Sequence, residues 1–299
     1  MIKISGYAIV KNEEEYLPYS LGIMDKVCNE IIIVDNGSTD RTKEIAKSFS
    51  KVKLIEKPSK NWLEIHEPEL RMIAIKKCKG DWIQEFDADE VFYESIIKIR
   101  ALLKELNNRF GGICFPYHQL WGDFEHVKDE RRPNLNWQQH IFGKSLLYRN
   151  HPRLERSHSI HHSHIRHSFD PPRIYDFGLK EGYGTSPGNN YYGLMRIQDR
   201  AGDNKQLIIN WKKMEPFWFC HFGYCKSNKK LLDKNLHNAI LNGKHHLNSD
   251  PSPLKRSRVR PFVKEPDRVE KGTLPKIMKN FKPVPKCKIK DGIIIERNY

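Results

Sequence analysis

The stretch Glu30–Asn36, Glu-Ile-Ile-Ile-Val-Asp-Asn, constrains the fold more than any other part of the chain. Ile31, Ile32, Ile33 and Val34 are all β-branched and favour an extended backbone. Side chains alternate across a strand, so apolar residues at every position require cover on both faces. Such a strand belongs inside a parallel sheet sandwiched by helices. The residues that follow agree with this. Gly37 supports a turn, Ser38, Thr39 and Asp40 are capping types, and "RTKEIAKSF" continues at helical spacing. Asp40 fits the capping role better than Asp35 does.

The same alternation runs through the first 112 residues. "KISGYAIV" reads as a strand, and "NEEEYLPYSLGIM" as a helix with acids in its first turn. "VKLIEKP" is a third strand, "EPELRMIAIKKC" a helix ending near Gly80, "DWIQEF" a fourth strand and "ESIIKIRALLKEL" an amphipathic helix. Strands alternating with helices predict an α/β fold with a mostly parallel, Rossmann-like sheet and helices on both faces. Beyond "GGICFPYHQLW" the pattern is irregular until "EPFWFCHFGY", a further core strand, with "SNKKLLDKNLHNAIL" as a helix behind it. We divide the chain at 1–112, 113–247 and 248–299, the last a Pro-rich basic extension expected to wrap the surface.

Ligands on such sheets bind beyond the carboxyl ends of the strands. Two acidic features sit there. Asp35 closes the second strand, and "FDADE" places Asp87 and Asp89 at the exit of the fourth. Crowded carboxylates repel one another, so a D-x-D pair suits a hard divalent cation, Mn²⁺ or Mg²⁺, completed by water and phosphate oxygens. In such a pair one carboxylate is expected on the metal and the other on a water or a sugar hydroxyl.

Charge divides the chain in the same place. Residues 1–112 hold 18 Lys+Arg against 19 Asp+Glu, a net −1, whereas residues 113–299 hold 34 against 18, a net +16. Thirteen of the 14 histidines also fall in the second part. The first part reads as an ordinary soluble domain, and the second as a surface for an anion. The six cysteines are scattered without a C-x-x-C pair, which suits a reduced, cytoplasmic protein, with peripheral membrane association compatible. "MIKISGYAIV" lacks the pattern of a signal peptide, and no window is apolar enough to predict a transmembrane segment. Oligomeric state has no signature in the sequence.

"AIVKNEEEYL", "IIIVDNGSTDRT", the helix bearing Arg71, "GDWIQEFDADE" and "FCHFGY" occur in that order. Together they resemble the family 2 inverting glycosyltransferases of the GT-A fold and D-x-D type, strongly over residues 4–94 and more weakly around 216–224. The resemblance implies a nucleoside diphosphate sugar donor, a UDP-sugar above others, and a metal-dependent transfer. It places Lys11, Asn12, Glu13 and Asp35 around the nucleotide base, Arg71 on phosphate, and Asp87 on ribose or a metal-bound water. Asp87 and Asp89 would face the metal, with His221 as a further ligand.

One departure concerns the proton acceptor. Relatives acting on bacterial outer-core sugars carry a His-Glu pair near "SHSIHHSHIRH", where this chain has Ile160, His161 and His162. His162 becomes a candidate general base, with Glu155 and Asp123 as carboxylate rivals. His158 and His162 at i, i+4 also leave zinc binding open. For the acceptor, lipopolysaccharide core or polysaccharide stands ahead of DNA with hydroxymethylated bases, as in some bacteriophages. Trp121, Trp137, Trp211 and Trp218 suit either, as does the basic run Lys255, Arg256, Arg258, Arg260. A non-catalytic nucleic-acid-binding protein on a transferase fold is the reading outside enzymes.

Overall fold

The computed structural model describes residues 1–58, 67–105, 110–128, 143–150, 154–156, 165–167, 193–196, 217–227, 230–231, 259–261, 274–281, 287–290 and 293–297. The elements run β1 (Ile4–Val10), α1 (Leu17–Val27), β2 (Glu30–Asp35), α2 (Thr42–Lys47), β3 (Val52–Glu56), α3 (Glu67–Ile75), β4 (Trp82–Glu85), β5 (Glu90–Phe92), α4 (Ile99–Glu105) and β6 (Phe110–Trp121). They continue with β7 (His126–Lys128), β8 (Gly143–Arg149), β9 (Leu154–Arg156), β10 (Ile165–His167), β11 (Gly193–Arg196), β12 (Phe219–Tyr224), β13 (Val259–Pro261), β14 (Cys287–Lys290) and β15 (Ile293–Arg297).

The Ile-Ile-Ile-Val run lies where its pattern places it, inside a parallel sheet ordered β3-β2-β1-β4. Its alternation divides the core. Ile31 and Ile33 pack with Ile4, Ala8 and Val10 of β1 and with Leu17, Leu21 and Met24 of α1. Ile32 and Val34 face the other way, onto Tyr7, Ile83 and the α3 residues Leu70, Ala74 and Ile75. All four side chains of the run are fully buried. Each contributes about 1.5–3 kcal/mol of transfer free energy, which ties helix and sheet together on both faces.

Beyond β4 the sheet changes hand. β8 pairs antiparallel with β4, and β6 antiparallel with β8. β12 then lies parallel to β6 and antiparallel to the short β5. This arrangement fastens β12 beside the D-x-D turn, and Phe222 N donates to Asp89 O at 2.9 Å. β7 and β11 pair with β6, and β13, which contains Arg260, pairs with β7. β9 with β10, and β14 with β15, form separate pairs.

Two helices differ from the sequence expectation. α1 starts at Leu17 with Pro18 in its first turn, so Glu13, Glu14 and Glu15 lie in the preceding loop rather than at a helix N-terminus. A proline is tolerated in a first turn because its missing N–H would have had no partner there. Residues 94–98 form a 3-10 turn before α4, so "ESIIKIRALLKEL" is not one continuous helix. Near the C-terminus, residues 274–281 return to α1. Phe281 packs on Tyr16 and Tyr19, and Ile277 N donates to Glu94 Oε1 at 2.8 Å. Gly22 permits this approach, because a Cβ there would meet Ile277 Cδ1 at 2.6 Å.

Trp137, Trp211, His158, His162, Lys255, Arg256 and Arg258 lie outside the described residues, as does the predicted helix beyond Leu231. Among the described residues, no helix is long and apolar enough to cross a membrane.

Candidate active site

The site forms where β1, β2 and β4 end and β12 passes. Asp35, the last residue of β2, is fully buried. Its Oδ2 accepts from Gly37 N and Ser38 N, both at 3.0 Å. That turn needs Gly37 at φ 81, a region that residues with a Cβ avoid. Asp35 Oδ1 is also buried and takes no hydrogen bond from the described protein atoms. A buried acceptor without a donor costs free energy, about 1–3 kcal/mol, which an incoming N–H recovers.

The β1–α1 loop is stitched to the Asp35 turn. Asn12 sits at φ 55, and its Oδ1 accepts from Thr39 N at 2.8 Å while its own N donates to Ser38 Oγ at 3.0 Å. Asn12 therefore fastens this loop to the residues that follow Asp35. Glu13 N donates to Thr42 Oγ1 at 2.7 Å, which turns the Glu13 carboxylate toward β12. The N-cap of α2 is Arg41 rather than Asp40, yet Asp40, one residue earlier, still accepts from Thr42 N at 2.9 Å.

The D-x-D turn is held from inside. Asp87 N donates to Glu90 Oε2 and Glu90 N to Asp87 O, both at 3.0 Å. Arg71 donates to Glu85 Oε1 at 2.7 Å and to Asp87 Oδ1 at 3.1 Å. Tyr7 donates to the other Glu85 oxygen at 2.5 Å. Arg71, expected on phosphate, thus sets the orientation of Asp87 from a buried position.

Asp89 faces β12. Its Oδ1 lies 3.4 Å from His221 Nε2 and its Oδ2 lies 2.8 Å from Lys226 Nζ. Gln119 settles the imidazole. Its Nε2 donates to Leu120 O and His221 O, which leaves Oε1 to accept from His221 Nδ1 at 2.7 Å. With Nδ1 protonated, a neutral imidazole presents a lone pair from Nε2 toward Asp89 Oδ1. Two acceptors that close need a positive charge, supplied by a second ring proton or by a shared cation.

One nitrogen and one carboxylate oxygen, both buried, fit an ion of the Mn²⁺ or Mg²⁺ class. Among the described residues no group of three or more His, Cys, Asp or Glu gathers to hold a metal. An ion here would draw its remaining ligands from water and phosphate, as Mg²⁺ does at nucleotide sites. It is Asp89 that the structure sets against His221, while Asp87 is set against Arg71.

Lys226 was not anticipated from the sequence. Its ammonium lies 2.6 and 2.8 Å from the two oxygens of Glu13 as well as 2.8 Å from Asp89. Burial opposes its charge, yet the carboxylates of Asp89 and Glu13 outweigh burial and raise its pKa. Burial raises the Glu13 pKa, with Lys226 opposing and Asp89 reinforcing. No local signal marks this lysine, because its Glu13 partner is 213 residues away.

Of the proposed bases, Asp123 follows β6. It is buried, and its Oδ1 accepts from Glu125 N at 2.9 Å and lies 2.8 Å from His126 Nδ1. Glu155 is in β9, and His162 lies outside the described residues.

The chain is similar to known proteins over part of its length. The profile described as "Glycosyl transferase family 2" matches residues 8–165. An uncharacterized glycosyltransferase of Rickettsia typhi is 39% identical over 90 residues, which span 30% of this chain and 29% of that protein. The lipopolysaccharide core biosynthesis glycosyltransferase LpsC of Rhizobium meliloti is 29% identical over 109 residues, 35% of this chain and 37% of its own. The matches thus span well under half of either relative. The crystal structure of S. aureus TarS 1–349 in complex with UDP covers 50% of this chain and 47% of that one, at 18% identity and a TM-score of 0.36.

Proposed function

The chain belongs to glycosyl transferase family 2, and from that premise we propose that it transfers a sugar from a nucleoside diphosphate sugar to an anionic acceptor, with inversion at the transferred carbon. The donor is a UDP-sugar, and the acceptor is a lipopolysaccharide core or related polysaccharide. What supports this is one continuous line of contacts across the strand ends. It runs from Asp35 through Ser38, Asn12 and Glu13 to Lys226, Asp89 and His221. The proposed base acceptor and the proposed cation pair thus stand at the two ends of that line, an order that suits a nucleoside diphosphate.

Asp35 Oδ1 would accept the uracil N–H. Asp89 and His221 would hold Mn²⁺ or Mg²⁺, with Asp87 toward the ribose or a metal-bound water. The metal supplies a Lewis acid that offsets charge on the departing diphosphate. As the acceptor oxygen bonds to the sugar's anomeric carbon, the bond to the diphosphate breaks and the acceptor proton passes to a base. The net +16 of residues 113–299 supports an anionic acceptor, and the name of the R. meliloti relative is in keeping with a lipopolysaccharide core.

The base is open to direct test. His162→Ala, Glu155→Gln and Asp123→Asn should include one variant whose kcat falls by ~10²-fold or more with donor binding retained, the usual scale for a lost general base. Asn is chosen at position 123 because its amide oxygen preserves the acceptor that Glu125 N uses. If His162 is the base, activity should also fall below about pH 6.5, the ordinary imidazole pKa. Full activity in all three variants would place the proton acceptor elsewhere.

A further inference from the structure

Lys226 joins the β1–α1 loop to the D-x-D turn, and its three N–H donors match the three carboxylate oxygens around it. The half-buried Glu13 carboxylate and the buried Asp89 carboxylate would otherwise face each other without this charge between them. The ammonium meets that need without leaving the protein. It is also attached firmly. Cys225 N donates to Phe222 O at 2.8 Å, and Tyr16 Oη donates to Cys225 O at 3.0 Å, fixing the backbone next to Lys226 on the end of β12.

A fixed positive charge beside a cation pair acts differently on two visitors. A bare divalent ion approaching Asp89 Oδ1 and His221 Nε2 is repelled by the ammonium on the other oxygen of the same carboxylate. A divalent ion carrying UDP is net negative and one carrying a UDP-sugar is net neutral, so the same ammonium attracts the former and does not repel the latter. We propose that Lys226 is a positioning residue that selects the metal–diphosphate complex over the free metal, so that cation and donor enter the cleft together. This rests on the proposed donor and metal reading. It adds an order of assembly that the metal pair alone does not imply, since an acidic cleft without Lys226 would bind the ion first.

The test uses the full chain, with Mn²⁺ alone followed by spin resonance and UDP titrated by calorimetry at saturating Mn²⁺. In Lys226→Met, affinity for Mn²⁺ alone should rise roughly tenfold, the scale of removing one like charge from a partly screened neighbour. Affinity for UDP with Mn²⁺ should fall by a similar factor. Lys226→Arg, which keeps the charge, should stay near the parent in both. A residue that merely braced the fold would weaken both on removal, so loss of both affinities in Lys226→Met would overturn the proposal, as would no change in either. Absence of UDP binding by the parent chain at any Mn²⁺ concentration would instead sink the donor reading itself.

Discussion

Asp89→Ala is expected to abolish Mn²⁺-dependent binding of UDP, while Asp87→Asn weakens it less. The difference follows from where the structure directs the two carboxylates. Asp89 is buried, with one oxygen opposite His221 Nε2 and the other on Lys226. Its removal takes away half of the proposed cation pair and one carboxylate partner of Lys226. Asp87 is held by Arg71 at 3.1 Å and remains partly exposed. An amide in its place keeps an oxygen for that contact. Calorimetry of UDP with and without Mn²⁺ reads both variants. Equal affinity and equal metal dependence in Asp89→Ala and the parent would remove Asp89 from the site.

The second large effect is on stability. Arg71→Ala should destabilise the chain by about 3–5 kcal/mol, the cost of stripping one partner from a buried ion pair. The Arg71 and Glu85 side chains are only 7% and 11% exposed, and their contact is 2.7 Å. Without the guanidinium, Glu85 keeps its hydrogen bond from Tyr7 but loses the Arg71 charge, and must be buried charged or take up a proton. Adding Glu85→Gln to Arg71→Ala should recover part of the loss, because the uncompensated charge is then gone. Urea unfolding measures both. A loss under about 1 kcal/mol for Arg71→Ala would show the pair to be no better than a surface contact.

Local signals carried most of the first 112 residues. The β-branched run of β2 dictated its own burial and, through alternation, two helix layers, because hydrophobic periodicity is written in neighbouring residues. The same holds for Asp35 and the D-x-D acids, which stand at strand exits whatever the tertiary detail. Contacts between distant parts were not legible. Nothing near Lys226 announces Glu13, and nothing near Arg71 announces that Glu85 and Asp87 would take its guanidinium. The acids of residues 13–15 resemble a helix start in composition, yet tertiary pairing claims Glu13 and the helix begins at Leu17. The 3-10 turn before α4 likewise departs from a helical pattern that apolar spacing alone supports.

The account turns on a nucleoside diphosphate lying across the strand ends, its base at Asp35 and its phosphates at Asp89 and His221. The most direct measurement is a UDP titration of the parent chain and of Asp35→Ala, each with and without Mn²⁺. The account predicts that the parent binds UDP in a Mn²⁺-dependent manner. It also predicts that Asp35→Ala binds roughly tenfold more weakly, with the Mn²⁺ dependence intact, about the worth of one buried hydrogen bond to a charged group. Unchanged affinity in Asp35→Ala, or UDP binding by the parent that is indifferent to Mn²⁺, would contradict it.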